Sequence, residues 1–112
     1  RMTMTQKISI LTLAVIAAAA ILPERAVGRD GNYATAAGKA FGVSNTQGAI
    51  GDRVPVDVMG TTIATAGGAF VDGDELEVGT AGKLVKKTTG VVVAIALQGA
   101  TADGDRVEVL LK

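Results

Sequence analysis

A chain of 112 residues is long enough to bury one hydrophobic core and too short for two. It contains no Cys and no His, which removes disulfides, thiol chemistry, and the commonest general base and zinc ligand. Eleven basic and eleven acidic residues cancel, so no overall field draws it to nucleic acid or to an anionic membrane, and neither is expected as a partner. The only aromatic residues are Tyr33, Phe41 and Phe70, against fifteen Gly. The core must therefore be built from Val, Ile, Leu and Ala, and a modestly stable domain of that kind is expected to gain from self-association.

Two readings compete at the N-terminus. Lys7, the apolar run of residues 8–16 and then Ala17-Ala18-Ala19-Ala20 have the charged start, apolar middle and small-residue end of a secretory signal peptide. Against this, Ser9 and Thr12 interrupt the run as they would in a strand. The stretch as far as Leu22 is also short for a membrane span, which needs about 20 residues. The preferred reading is a β-forming arm over residues 5–16, with the four alanines as a close-packed or turning link. Arg1 ahead of Met2 and Met4 leaves the natural start open.

From Ile21 onward, short strands alternate with turn signals. Arg25-Ala26-Val27 leads into the turn cluster Gly28-Arg29-Asp30-Gly31-Asn32, and a short strand over residues 39–43 precedes a polar loop over residues 44–48. Residues 53–58 alternate, with Val54, Val56 and Val58 on one face; Pro55 places this strand at an edge or leaves it one unpaired amide. Residues 61–65 are β-branched and end at Gly67-Gly68. Residues 69–71, 75–78 and 83–88 give three more short strands. The unbroken apolar run 91–97 suits a strand buried on both faces. After a turn over residues 99–105 comes an alternating strand with Val107, Val109 and Leu111 on one face. These two are expected to pair antiparallel, with Val107 and Val109 facing the core. Nine or ten strands at this spacing predict an all-β fold, a compact barrel or sandwich of short antiparallel strands with an extended N-terminal arm. The division expected is residues 1–22 as arm and link, and residues 23–112 as a single β-barrel-like domain.

Three segments repeat the pattern Gly-Asp-x-apolar-x-Val, beginning at Gly51-Asp52, Gly73-Asp74 and Gly104-Asp105. The local account is that Gly takes a turn conformation closed to other residues and Asp bonds back to nearby amides. A calcium loop would need further oxygen ligands and a closing Glu, which are missing, so these six residues are read as structural turns and no metal is expected. Gly79-Thr80-Ala81-Gly82-Lys83 is too short for a phosphate loop and has Leu84 where Ser or Thr should follow. Lys86-Lys87 reads as a solvated basic turn. Ser9 and Ser44 have no His to activate them. No catalytic residue, cofactor site or enzyme activity is expected.

Gln6-Lys7-x-x-Ile10-Leu11-Thr12-Leu13 before the Ala-rich stretch, Ala40-Phe41-Gly42-Val43-Ser44, the block from Gly51-Asp52 to Gly60-Thr61, and the ending from Val93-Ala94 to Leu110-Leu111 resemble, in order, the small capsid decoration proteins of tailed bacteriophages, also called capsid cement or minor capsid proteins. The resemblance covers nearly the whole chain; the unusually apolar stretch from Val15 to Leu22 departs from it. It implies a structural virion protein on the outer surface of the head, present in the host cytoplasm before assembly, that bridges neighbouring major capsid subunits. The implied partners are the major capsid protein and the chain itself, as a homotrimer or else a dimer. Contact with the capsid or a neighbouring protomer falls to the arm: Thr5, Gln6, Lys7, Ile8, Ser9, Ile10, Leu11 and Thr12. The alternative function is a secreted or periplasmic β-domain that binds a surface ligand.

Overall fold

The computed structural model describes residues 8–112. Their strands are β1 (Ser9–Ile16), β2 (Ala26–Val27), β3 (Gly42–Ser44), β4 (Arg53–Thr65), β5 (Glu75–Val78), β6 (Leu84–Lys86), β7 (Ala94–Ala96) and β8 (Arg106–Leu111), with one 3-10 turn at Thr80–Gly82. Of the all-β barrel or sandwich expected, the structure is a nearly closed, barrel-like antiparallel sheet.

β4 organises the sheet. The sequence reads it as two strands, residues 53–58 and 61–65, but it runs unbroken through Gly60, whose φ of +94° puts a kink where a Cβ would strike the Ile8 carbonyl. Its second half pairs with β8, and the ladder continues through β7 and β5 to β6. A parallel bridge from Ala66, just past β4, to Leu84 in β6 closes this ring, and the Gly67 amide donates to the Leu84 carbonyl at 2.7 Å. The first half of β4 is flanked by β1 on one side and by β3, then β2, on the other, making a four-stranded wing on the ring.

Each part has its own core. Within the ring, Leu76, Val78, Leu84, Val107 and Val109 pack with Phe70 and with Ala64, Ala66, Ala94, Ala96 and Ala100. Five strands enclose little volume, so small side chains fill it, and this accounts for the scarcity of aromatic residues. In the wing, Val15, Ala17, Ile21, Val27, Val54 and Val56 form a second cluster against Tyr33 and Phe41.

Several expectations need correction. The run 91–97 is not buried on both faces. Only Ala94–Ala96 is strand, Val91 and Leu97 are exposed, and Ile95 is half-buried, because one face of β7 meets water. Its pairing with β8 is as expected: Ala96 lies opposite Val109, and Val107 and Val109 are buried. Residues 69–71 supply one bridge, from Phe70 to Ala100, instead of a strand, which helps leave eight strands among the described residues. Of the two expectations for Pro55, the edge is overturned, since β4 is central, and the missing amide is the one that fits. Pro55 tolerates this because its side of β4 has run past the two-residue ladder with β3, and its carbonyl accepts from the Asn45 amide at 2.9 Å.

Candidate interaction surface

The three Gly-Asp segments build the same turn three times. In each, the Asp amide donates to the carbonyl three residues back: Asp52 to Ala49 (3.0 Å), Asp74 to Val71 (3.1 Å) and Asp105 to Ala102 (3.3 Å). The Asp carboxylate accepts from the amide of that same earlier residue at 2.9, 3.0 and 3.2 Å. The preceding glycines have φ of +90°, +92° and +97°, the third-position geometry that favours Gly. Asp105 also accepts from the Thr101 amide and hydroxyl, and these bonds, the amide first, hold its carboxyl below its ordinary pKa. All six residues therefore do the work of turns.

Chemistry-bearing residues are likewise absorbed locally. Ser44 is buried, and its Oγ donates toward the Leu22 and Arg25 carbonyls and accepts from the Arg25 amide. Gly79 to Lys83 forms the 3-10 turn entering β6, with Ala81 at φ +55°. Among the described residues no three His, Cys, Asp or Glu gather as metal ligands, and no helix is long and apolar enough to cross a membrane. The cleft between Phe41, Val43, Leu84 and Val93 has about 20 Å³ of free space, the room of one water, and the larger clefts, such as the one of about 510 Å³ beside Leu13, Ile16 and Arg53, are open to the surface.

What stands out is β1. Of the arm residues singled out in the sequence, Thr5, Gln6 and Lys7 lie outside the described residues. Ile8, Ser9, Ile10, Leu11 and Thr12 lead into and begin the strand, which lies along β4. Ile8 brackets Thr61, its amide donating to the Thr61 hydroxyl at 2.8 Å and its carbonyl accepting from the Thr61 amide at 2.9 Å. Ile8 is 61 % exposed, Ile10 70 %, Leu11 41 %, Leu13 42 % and Ile16 54 %; Met59, opposite Leu11 on β4, is 50 % exposed. Val15 alone of the large β1 side chains is buried. No charged residue occurs between Ile8 and Leu22.

Asp57 fixes this strand, and the sequence reading missed it. It is fully buried in the middle of β4. Oδ1 accepts from Thr12 Oγ1 at 2.8 Å and Asn45 Nδ2 at 3.1 Å, and Oδ2 accepts from Thr62 Oγ1 at 2.8 Å. One carboxylate thus ties β1, the loop after β3 and both halves of β4. A buried carboxylate is tolerated only with such partners.

The fold and this surface define a β-barrel whose distinctive exposed feature is an apolar strand. A family model described as phage cement protein matches residues 5–111, and the chain belongs to that family. The solved structure of the head fiber gp8.5 N base in bacteriophage phi29 is similar to it, with a TM-score of 0.75 at 19 % identity over 91 % of this chain and 93 % of that one, which shows a shared fold. No curated protein matches.

Proposed function

We propose that the protein is a structural component of a phage head that sits on the outer surface of the shell and bridges neighbouring major capsid subunits. Membership of the phage cement family over residues 5–111 carries this reading. The surface supports it: the wing presents an uncharged apolar strand, the chemistry of a protein-protein contact. The residues proposed for contact with the capsid or a neighbouring protomer are Thr5, Gln6, Lys7, Ile8, Ser9, Ile10, Leu11 and Thr12. Self-association, as the trimer the family resemblance implies, would let several modest contacts act together on one closed lattice.

The test is to mix the purified chain with heads lacking it and sediment them. Saturable binding at a fixed number of copies per head is expected, with a chain shortened by residues 1–12 binding at least about tenfold more weakly, because added strands contribute several backbone hydrogen bonds. Full-length protein that stays in the supernatant at every concentration would overturn the reading.

A further inference from the structure

We propose that the cleft where the ring meets the wing, bordered by Arg25, Lys83 and Arg106, is a carboxylate site, and that an Asp or Glu side chain of the major capsid protein fills it. The choice of partner rests on the head binding proposed above; the site itself does not.

The cleft is open to the surface and holds about 430 Å³. Arg25 comes from the link before β2, Lys83 from the turn entering β6 and Arg106 from the start of β8. The one acidic side chain lining it, Glu24, is already taken: Arg106 grips its carboxylate with Nε at 2.5 Å and Nη2 at 2.7 Å. Lys83 is also matched, with Nζ 2.8 Å from Asp103 Oδ1. Arg25 has no such match. Among the described residues its guanidinium meets no carboxylate; Nη1 donates to the Ala81 carbonyl at 3.0 Å, and Nε is buried without an acceptor.

A buried donor that its own chain leaves unmatched calls for an acceptor from outside it. Nε and Nη2 form the edge of a guanidinium that receives a carboxylate through two parallel bonds. Because Nε is covered, the guanidinium turns about its bond to Ala81 as the carboxylate arrives, and the two charge-assisted bonds drive that turn. The backbone holds the group in place. Of the three non-glycine residues with positive φ among the described residues, Glu24 at +63° directly precedes Arg25, and Ala81 at +55° supplies the carbonyl that holds it. Strain kept on both sides of one side chain fits a site better than a scaffold.

Charge and rim select the occupant. One uncompensated guanidinium suits a single carboxylate, whereas the row of phosphates on a nucleic acid needs several cations, and the chain's net charge is zero. Leu22, 46 % exposed, and Pro23 line the rim and suit the apolar atoms of a peptide. Leu22 is also where the uncharged run from Ile8 ends, so a partner chain lying on that run comes to the cleft with its side chains.

The site is tested without a head and without a variant, by following the Arg25 Nε proton in nitrogen-correlated NMR. N-acetylglutamate amide is expected to shift that signal saturably, and N-acetylglutamine amide, equal in shape and uncharged, is not. A signal that ignores the acidic probe would overturn the site. The partner is tested on heads lacking the protein. Arg25→Gln, which keeps a donor for the Ala81 carbonyl, should raise the dissociation constant about tenfold or more at low salt and by less at high salt, with an unchanged melting temperature. Lys39→Gln, exposed and outside the cleft, should change neither. An Arg25→Gln chain that binds heads as tightly as the parent at low salt would overturn the assignment to the capsid and leave the proposed function standing. A parent that binds no heads would overturn that function and this partner together, and the NMR signal would still decide the site.

Discussion

Asp57 and Glu77 are the two carboxylates that the sequence reading passed over and the fold depends on. Alternation along residues 53–58 puts Val54 and Val56 inside and turns Asp57 to the other face, which reads as solvent. That face is covered by Thr12, 45 residues earlier, and by Asn45 and Thr62, a convergence no local pattern encodes. Asp57→Ala would leave three donors without their acceptor and should lower stability by about 3 kcal/mol, whereas Thr12→Val, which removes one of the three bonds, should cost about 1–2 kcal/mol. Urea unfolding midpoints check both, and equal midpoints for the parent and Asp57→Ala would show that the carboxylate is not structural. Glu77 accepts from the Thr88 amide at 2.6 Å and the Gly90 amide at 3.2 Å, and these bonds, Thr88 first, hold its carboxyl below its ordinary value. A carboxyl depressed in the folded state stabilises the protein above its unfolded pKa, near 4.5, and the contribution is lost as pH falls through the lower folded value. Stability should thus decline below about pH 4.5, and Glu77→Gln should flatten that decline in thermal melts recorded from pH 6 to 3. A variant with the parent's slope would place the acid sensitivity elsewhere.

The strands were legible where alternation or turn chemistry is strong, and blurred where pairing decides. The three Gly-Asp turns and the 106–111 strand were readable because both depend on neighbours in the chain. The continuity of β4 through Gly60 was not, since a glycine between two β-branched runs reads as a break until β1 is seen lying across it. The run 91–97 misled because apolar residues that face water look the same in sequence as buried ones. β1 was read as a β-forming arm reaching a neighbour, and in the fold Val15 belongs to the second core and Thr12 to the Asp57 network. Deleting residues 1–16 should therefore lower the melting temperature by about 10 °C or more through the lost burial of Val15, the lost bond to Asp57 and the opened edge of β4, while the ring from β4 to β6 keeps its β-type circular dichroism. A truncated chain that melts with the parent would show that β1 contributes nothing to the fold.

At the scale of the whole molecule, the ring and the wing divide the work. A five-stranded ring is filled mostly by small aliphatic side chains, and in the wing one buried carboxylate ties the apolar strand β1 to β4. The fold class was open to sequence reasoning because alternation and turn spacing bear on it directly. The contact surface was only half open to it, because exposure is a property of the assembled sheet. A chain of this build is suited to tying larger subunits together. The most direct measurement is the temperature at which filled heads release their DNA, recorded with and without saturating protein. The account predicts release at a clearly higher temperature with the protein bound, and a smaller gain with the chain lacking residues 1–12. Heads that bind the protein and yet release their DNA at an unchanged temperature would contradict it.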